Sequence, residues 1–454
     1  MGTALIILAA GQGSRMKSDL PKVLHNVAGS PLLSHVVDSG AVLEPEKLVI
    51  VAGHGAEAVR KAALDEAPEA QILLQEEQLG TAHAVLQAAP GLDGFDGDAV
   101  VLYGDTPFIS AETMQAMVQA RADGADIVIL GFEAEDPGRY GRLIVENGDL
   151  QRIVEFKDAS EAERDVRLCN SGVVMADAAN LMTLVSEVGN DNAAGEYYLT
   201  DIVALGRTKG QTARVVTCPE AETMGVNTRA DLARAEAAFQ ARKRAEALDN
   251  GVTIIDPDTV YFSRDTYIGR DAHIEPNVFF GPGVTVETGA KILAFCHLTD
   301  CHISRGAAVG PFARIRGGAE LAEDVKIGNF VELKNAQLAE GVKISHLSYV
   351  GDAEIGEATN IGAGTITCNY DGVMKHRTVI GREAFIGSNT MLVAPVTIGD
   401  KAMTASGSVI TMDVAPDALA IGRARQFMKP GFATKLMDKL RATKERRSQS
   451  KDKE

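Results

Sequence analysis

Ile268-Gly269-Arg270-Asp271-Ala272-His273-Ile274-Glu275-Pro276-Asn277-Val278-Phe279-Phe280 places a large apolar residue at every sixth position. The series runs on through Val286, Ile292 and Leu298, then slips by one and resumes at Ile303, Val309, Ile315, Leu321, Ile327 and Leu333. Leu338, Ile344 and Val350 follow, then Ile355 and Ile361, and after a longer break Ile380, Ile386, Leu392 and Ile398. A period of six fits neither an α-helix nor plain strand alternation. It is the period of a β-solenoid, in which each rung is a short strand plus a corner. Glycine often follows the aliphatic residue, as at Gly269, Gly310, Gly328, Gly351, Gly362, Gly387 and Gly399. These glycines are expected to serve the turn of the coil. The register breaks between Ile366 and Ile380, where Cys368 to His376 form a loop thrust out of the solenoid, a place where function concentrates.

Upstream the texture differs. Leu5–Leu8, Leu48–Val51, Gln71–Leu74, Ala99–Leu102 and Ile127–Leu130 are short apolar runs separated by helical patterns such as 110–123. This alternation predicts an open, Rossmann-like α/β sheet, mostly parallel, with ligands at the carboxyl ends of its strands. Thr228-Arg229-Ala230-Asp231 reads as a capping box, and Asn250-Gly251 as a stop. The helix between them would span about 28 Å and suits a rigid connector. The expected organisation is an α/β domain over 1–228, a linker helix over 229–249, a solenoid over 250–430 and a basic tail over 431–454. That tail, dense in Lys and Arg from Lys435 onward, reads as a solvated helix passing into disorder.

Composition narrows the class. The 454 residues carry 45 Lys and Arg against 62 Asp and Glu, a net charge of −17, which disfavours a nucleic-acid or anionic-membrane binder. Five cysteines without a C-x-x-C pair (Cys169, Cys218, Cys296, Cys301, Cys368) argue against a disulfide framework or a zinc site. No apolar run reaches the roughly 18 residues of a membrane span. A cytoplasmic protein is expected. Glycine is abundant in both halves, 23 of 45 within 1–249 and 21 within 250–430, so two different causes are needed.

The first strand leads into Leu8-Ala9-Ala10-Gly11-Gln12-Gly13-Ser14-Arg15-Met16, with Pro21-Lys22 shortly after. Glycines let backbone N–H groups approach phosphates, and Arg15 and Lys22 add positive charge. Met16 stands where a Rossmann fingerprint needs its third glycine, and no Gly-Lys-Ser/Thr follows, so this is neither a dinucleotide nor a Walker loop. Asp105 ends an apolar strand, where a carboxylate is costly unless exposed, paired or on a metal.

This loop, together with Gln75, Gln78-Leu79-Gly80-Thr81-Ala82-His83-Ala84, Tyr103-Gly104-Asp105, Tyr140-Gly141-Arg142, Glu155, Asn170 and Gly225-Val226-Asn227, resembles the sugar-1-phosphate nucleotidyltransferases. Joined to a hexapeptide solenoid, the chain resembles the family of bacterial bifunctional enzymes that make UDP-N-acetylglucosamine, which implies that the solenoid is a left-handed parallel β-helix. The resemblance implies that Leu8, Ala9, Ala10, Gly11, Gln75, Gly80 and Thr81 hold the uridine nucleotide and that Lys22 contacts its phosphates. It implies that Tyr103, Gly104, Gly141, Glu155 and Asn170 surround the sugar, and that Asp105 and Asn227 ligate Mg²⁺. Arg15, Lys22 and the metal would stabilise charge while a sugar 1-phosphate oxygen attacks the α-phosphorus of UTP and expels pyrophosphate. Ser171 departs from the threonine usual there.

In the hexad register, the third residue of Ile344-Ser345-His346-Leu347-Ser348-Tyr349 points outward, so His346 is no core histidine. Arg316, Lys334 and Tyr349 face outward too. The same resemblance makes His346 the general base of an acetyltransferase, since the attacking amine must lose a proton. It assigns Arg316, Lys334, Tyr349, Asn360 and Lys375 to glucosamine 1-phosphate. Ala363, Asn369, Tyr370, Ser388, Ser406 and Arg423 are assigned to acetyl-CoA. Gly317 and Ser406 depart from the proline and alanine common in the family. A homotrimer through the solenoid is implied as well. Two other readings stand beside this one. The solenoid could be only a structural or regulatory trimerisation module, or the whole chain a non-enzymatic scaffold, which leaves the charged glycine loop and Asp105 unexplained.

Overall fold

The computed structural model describes residues 2–451; positions 452–454 of the expected tail lie outside the described residues. The chain forms two compact units, one comprising 1–285 with 297–300, the other 286–296 with 301–454.

In the first unit a sheet runs in the order Ala213–Thr217, Ile127–Glu133, Leu168–Asp177, Gly97–Tyr103, Gly2–Ala9, Lys47–Ala52, Gln71–Leu74. Leu168–Asp177 is antiparallel to both neighbours, and the other pairings in this series are parallel. Both faces are covered, so these strands are apolar on both sides: Leu5, Ile7 and Ala9 enter one core, Ala4, Ile6 and Leu8 the other. Gly2–Ala9 has the second parallel strand on one side and Gly97–Tyr103 on the other. Strand order therefore reverses beside it, and the crevice at the carboxyl ends is the natural binding place in such a sheet. The Gly11 loop and Asp105 both emerge there, tied by the bond from Gly104 N to Leu8 O at 2.9 Å.

The linker helix spans Arg229–Asp249 and starts with a reciprocal capping box between Thr228 and Asp231. Ala235 and Phe239 pack on Val27, Leu32 and Phe108. Gln240 grips the Phe262 backbone in both directions, Nε2 donating to its carbonyl at 2.7 Å and Oε1 accepting from its N–H at 2.8 Å. Arg244 Nε donates to Val260 O at 2.9 Å. These bonds attach the first turns after the helix to the first unit, so the compact units part at 285 rather than at the linker.

The second unit is a parallel β-helix. Its strands stack in three ladders, seen in the pairs Ile327–Ile344, Leu333–Val350 and Leu338–Ile355. Coils repeat at 17 or 18 positions, as from Arg316 to Lys334 to Gly351. Ala353, however, pairs with Thr378, 25 positions on, because the extruded loop intervenes. The hexad residues from Ile274 to Ile398 are buried; only the first, Ile268, is half-buried.

The glycines after the aliphatic residues do not make the turns. Of the seven, only Gly310 has positive φ. A Cβ at Gly328 would lie 1.9 Å from Ser345 O, at Gly362 2.5 Å from Ser388 N, and at Gly387 2.5 Å from Thr404 O. Their purpose is close approach of one coil to the next. Left-handed backbone at one corner belongs instead to Phe295, Phe312, Phe330 and Leu347, and the three phenylalanines stack on one another there. The segment Phe432–Lys451 is helical.

Candidate active sites

A cavity of about 320 Å³ opens at the crevice of the first unit. Of the expected residues, Leu8, Ala10, Gly11, Lys22, Gln75, Gly80, Thr81, Tyr103 and Asp105 line it. Ala9, the alternate residue of its strand, points into the core instead. Gly104 lies under the cavity, where a Cβ would meet Val23 at 2.9 Å and Leu8 O at 3.1 Å. Gly13, at φ +62, is another position closed to a side chain, because a Cβ would sit 2.6 Å from Lys22 Cβ.

The charged groups converge. Lys22 Nζ contacts the Asp105 carboxylate and donates to Asn227 Oδ1 at 3.1 Å, and Arg15 Nη2 donates to the same Oδ1 at 2.8 Å. Val226 N donates to Asp105 O at 2.9 Å, which brings residue 227 beside residue 105 across more than a hundred positions of chain. Two hard oxygens, Asp105 Oδ2 and Asn227 Oδ1, thus face one cationic group. That donor set fits Mg²⁺, which is commonly held by one or two protein oxygens with phosphates and water completing its shell.

Gly141, Glu155 and Asn170 form a second group, with Asn170 Cβ and Glu155 Oε1 both about 3.5 Å from where a Gly141 Cβ would stand. Thr200 Oγ1 donates to Glu155 at 3.3 Å, and burial raises the Glu155 pKa despite that bond, with Asp201, Asp158 and Glu196 adding to the rise. Tyr103 links the two groups, since it also lines a small cavity with Asn170 and Thr200. Its buried hydroxyl is pushed well above its ordinary pKa and bonds Thr81. Ser171 Oγ donates to Leu130 O at 2.7 Å and accepts from Val173 N at 3.1 Å, so a hydroxyl suffices at that departure.

Val23, Gln78, Ala84 and Glu196 also line the first cavity and were not anticipated. Gln78 had a signal, since Gln78-Leu79-Gly80-Thr81 was read as a motif, and its Nε2 holds Ala10 O at 2.9 Å. Glu196 arrives because Tyr197 crosses the Gly80 turn, bonding Leu79 O and accepting from Ala82 N, each at 2.9 Å.

In the solenoid, His346 is exposed at a corner. Its Nδ1 lies 2.8 Å from Oδ1 of Asn329, its register partner one coil earlier. An amide oxygen only accepts, so Nδ1 is the nitrogen that donates in this contact, and in the neutral ring the lone pair is left on Nε2. Later coils continue the same corner. Gly364 N bonds His346 O, Asn389 N bonds Ala363 O, Gly407 N bonds Ser388 O, and Gly407 lies beside Arg423. Ala363, Ser388, Ser406 and Arg423 therefore extend a line from His346.

Arg316, Lys334 and Tyr349 share an adjacent ladder. Arg316 pairs with Glu332 at 2.8 Å. Lys375, from the loop, sits against Lys334, whose hydrogen bond and like charge lower its pKa. Asn369, expected among the acetyl-CoA residues, is buried instead beside this set, donating to Asp352 and, at 3.5 Å, to Tyr349 Oη. Burial works to raise the Asp352 pKa, yet bonds from Asn335 and Asn369 and the Lys334 and Lys375 charges outweigh it and hold the carboxyl low. Tyr370 is exposed on the loop, bonding Gly372 O at 2.6 Å. Asn360 is separate from this set: it pairs with Lys343 and Phe385, on a ladder that Arg316, Lys334 and Tyr349 do not share.

A glycine-edged crevice holding Lys22 and Asp105 at the carboxyl ends of an α/β sheet, in a chain that continues as a β-helix with an exposed corner histidine, fits a nucleotidyltransferase coupled to a hexapeptide acyltransferase. Comparison with known proteins agrees. Residues 5–168 match the MobA-like NTP transferase domain, and residues 377–411 match the bacterial transferase hexapeptide (six repeats). The bifunctional protein GlmU of Paracoccus denitrificans is 65% identical over 97% of this chain and 98% of its own length. Those of Ruegeria sp. strain TM1040 (65%, over 98% and 99%) and Jannaschia sp. strain CCS1 (60%, over 98% of each) are similar throughout. The chain belongs to the GlmU family of bifunctional proteins. It is an enzyme with a nucleotidyltransferase half and an acetyltransferase half, and among its described residues no helix is long and apolar enough to cross a membrane.

Proposed function

We propose that this enzyme acetylates glucosamine 1-phosphate from acetyl-CoA in its solenoid and then uridylylates the product from UTP in its α/β domain. It works in the cytoplasm as a homotrimer. The observation that carries the reading is the meeting of Arg15, Lys22, Asp105 and Asn227 at one edge of the nucleotide-sized cavity.

In the first step His346 Nε2 takes a proton from the substrate ammonium, and the freed amine attacks the thioester carbonyl. The carbon–sulfur bond breaks, and the coenzyme leaves as its thiol once reprotonated. Arg316, Lys334 and Lys375 hold the phosphate, and Ala363, Ser388, Ser406 and Arg423 line the path of the coenzyme. In the second step Gln75, Gly80 and Thr81 hold the base, and Glu155 and Asn170 orient the sugar. An N-acetylglucosamine 1-phosphate oxygen then attacks the α-phosphorus of UTP in line, and pyrophosphate departs. Asp105 and Asn227 would hold Mg²⁺, which when bound neutralises triphosphate charge. Lys22 then turns its ammonium from Asp105 to the phosphates, and Arg15 steadies charge on the departing group.

Separate loss of the two activities tests the assignment. Asp105→Ala is expected to abolish UDP-sugar formation while leaving acetyl-CoA consumption intact, and His346→Ala to do the reverse. Wild-type acetyl transfer by His346→Ala would sink the role given to that residue. No acetyl transfer by the native protein would leave the solenoid a structural module.

A further inference from the structure

His83 lies between two glutamine amides. Gln75 Nε2 is 3.0 Å from His83 Nδ1 and 3.1 Å from Gly80 O. Gln87 Nε2 is 3.2 Å from His83 Nε2 and 3.1 Å from His83 O. A neutral imidazole has one N–H and one lone pair, so it accepts from one of these amides and donates to the other. Burial decides which. Gln75 is only 4% exposed, and turning its amide over would press Oε1 against the Gly80 carbonyl with no water to compensate. Gln87 is half-buried at the end of its helix, and it can turn its carbonyl to the imidazole N–H. Nδ1 of His83 is therefore the acceptor. Both hydrogens of the Gln75 amide are then held, one by Gly80 O and one by His83. Its Oε1 has no donor among the described residues, and Gln75 lines the cavity, whereas His83 does not.

We propose that His83 is a positioning residue that fixes the Gln75 amide with its carbonyl oxygen toward the nucleobase. A fixed acceptor at that point selects a pyrimidine whose ring nitrogen carries hydrogen, as in uracil. It opposes one whose ring nitrogen is itself an acceptor, as in cytosine. Without His83 the amide keeps only the Gly80 O bond and can swing about it, so its oxygen is no longer held where it tells the two bases apart. The inference rests on the reading of Gln75 as a nucleobase contact, and the experiment separates the two.

Pyrophosphate release from UTP and from CTP, each with N-acetylglucosamine 1-phosphate, gives the preference as a ratio of kcat/KM values. His83→Leu is expected to lower that ratio at least about tenfold, the scale of one misplaced hydrogen bond. The loss should fall mainly on the KM for UTP. His83→Asn, whose Oδ1 can replace Nδ1 as acceptor, is expected to keep the ratio within about threefold of wild type. Thermal melting and acetyl transfer on the same preparations report folding, and His83→Ser replaces the leucine variant if that one does not fold. Unchanged preference in His83→Leu or its serine substitute, with Gln75→Leu losing it, overturns the role of His83 alone. Unchanged preference in Gln75→Leu as well overturns the Gln75 reading with it. A ratio that collapses in His83→Asn also overturns the proposal, since the acceptor would be present without its effect.

Discussion

A carboxylate kept in a poor place for charge, Glu155, sets its ionisation against stability. Burial is the main cause of its raised pKa, and Thr200 only partly offsets it. The folded protein therefore holds a proton there that the unfolded chain has already lost, over the window from the ordinary carboxylate value up to the raised one. Stability must fall as pH rises through that window. Glu155→Gln removes the ionisation, so it is expected to raise Tm at pH 7 to 8 and to flatten the decline of Tm as pH rises above the ordinary carboxylate range. The same change should raise KM for the sugar phosphate severalfold while leaving acetyl transfer unaltered. Melting curves across pH, with kinetics on both reactions, check it. A Tm at neutral pH equal to or below that of wild type would contradict a charge that burial penalises more than the Thr200 bond relieves.

At the scale of elements, two devices hold the parts in shape. The capping box satisfies backbone N–H groups at the start of the linker helix from both sides, so Thr228→Ala should cost about 1 kcal/mol in the melting of the first unit. Both activities should persist below that transition. Gly328 is less forgiving. A Cβ there meets backbone, Ser345 O at 1.9 Å, and backbone cannot rotate away. Gly328→Ala is expected to force apart the coils that carry Asn329 and His346 and to reduce acetyl transfer at least about tenfold, with uridylyl transfer kept. The contrast also explains what was legible beforehand. The capping box and the hexad period are local, each stated within a few residues, and both appeared where expected. The role of Gly328, Gly362 and Gly387 is not legible locally, because the atoms they make room for lie 17 or more positions away. For the same reason Asn329 escaped notice, although it sits one coil before His346, and Glu196 enters its pocket only through the Tyr197 crossing.

For the whole molecule, one fact about the acetyltransferase half bears on assembly. Arg316, Lys334 and Tyr349 share one ladder of the solenoid, while Asn360 pairs on another. If all four serve one phosphate sugar, a single chain presents them on two adjoining ladders, and a neighbouring copy would bring a second set within reach of the first. A closed ring of three, the trimer proposed above, repeats the same heterologous contact at each interface. Each site would then draw Arg316 from one subunit and Asn360 from the next. This arrangement makes a prediction that a self-contained monomeric site does not. Arg316→Ala and Asn360→Ala enzymes, each inactive in acetyl transfer, should recover activity when unfolded together and refolded, or when co-expressed. Random assortment in equal amounts leaves about a quarter of the interfaces with both native residues, so about a quarter of wild-type activity is expected. Sedimentation should give a mass of three chains for the mixture and for each parent. Acetyl transfer that stays at the parental level in mixed trimers would place all four residues in one subunit's site, or remove Asn360 from it.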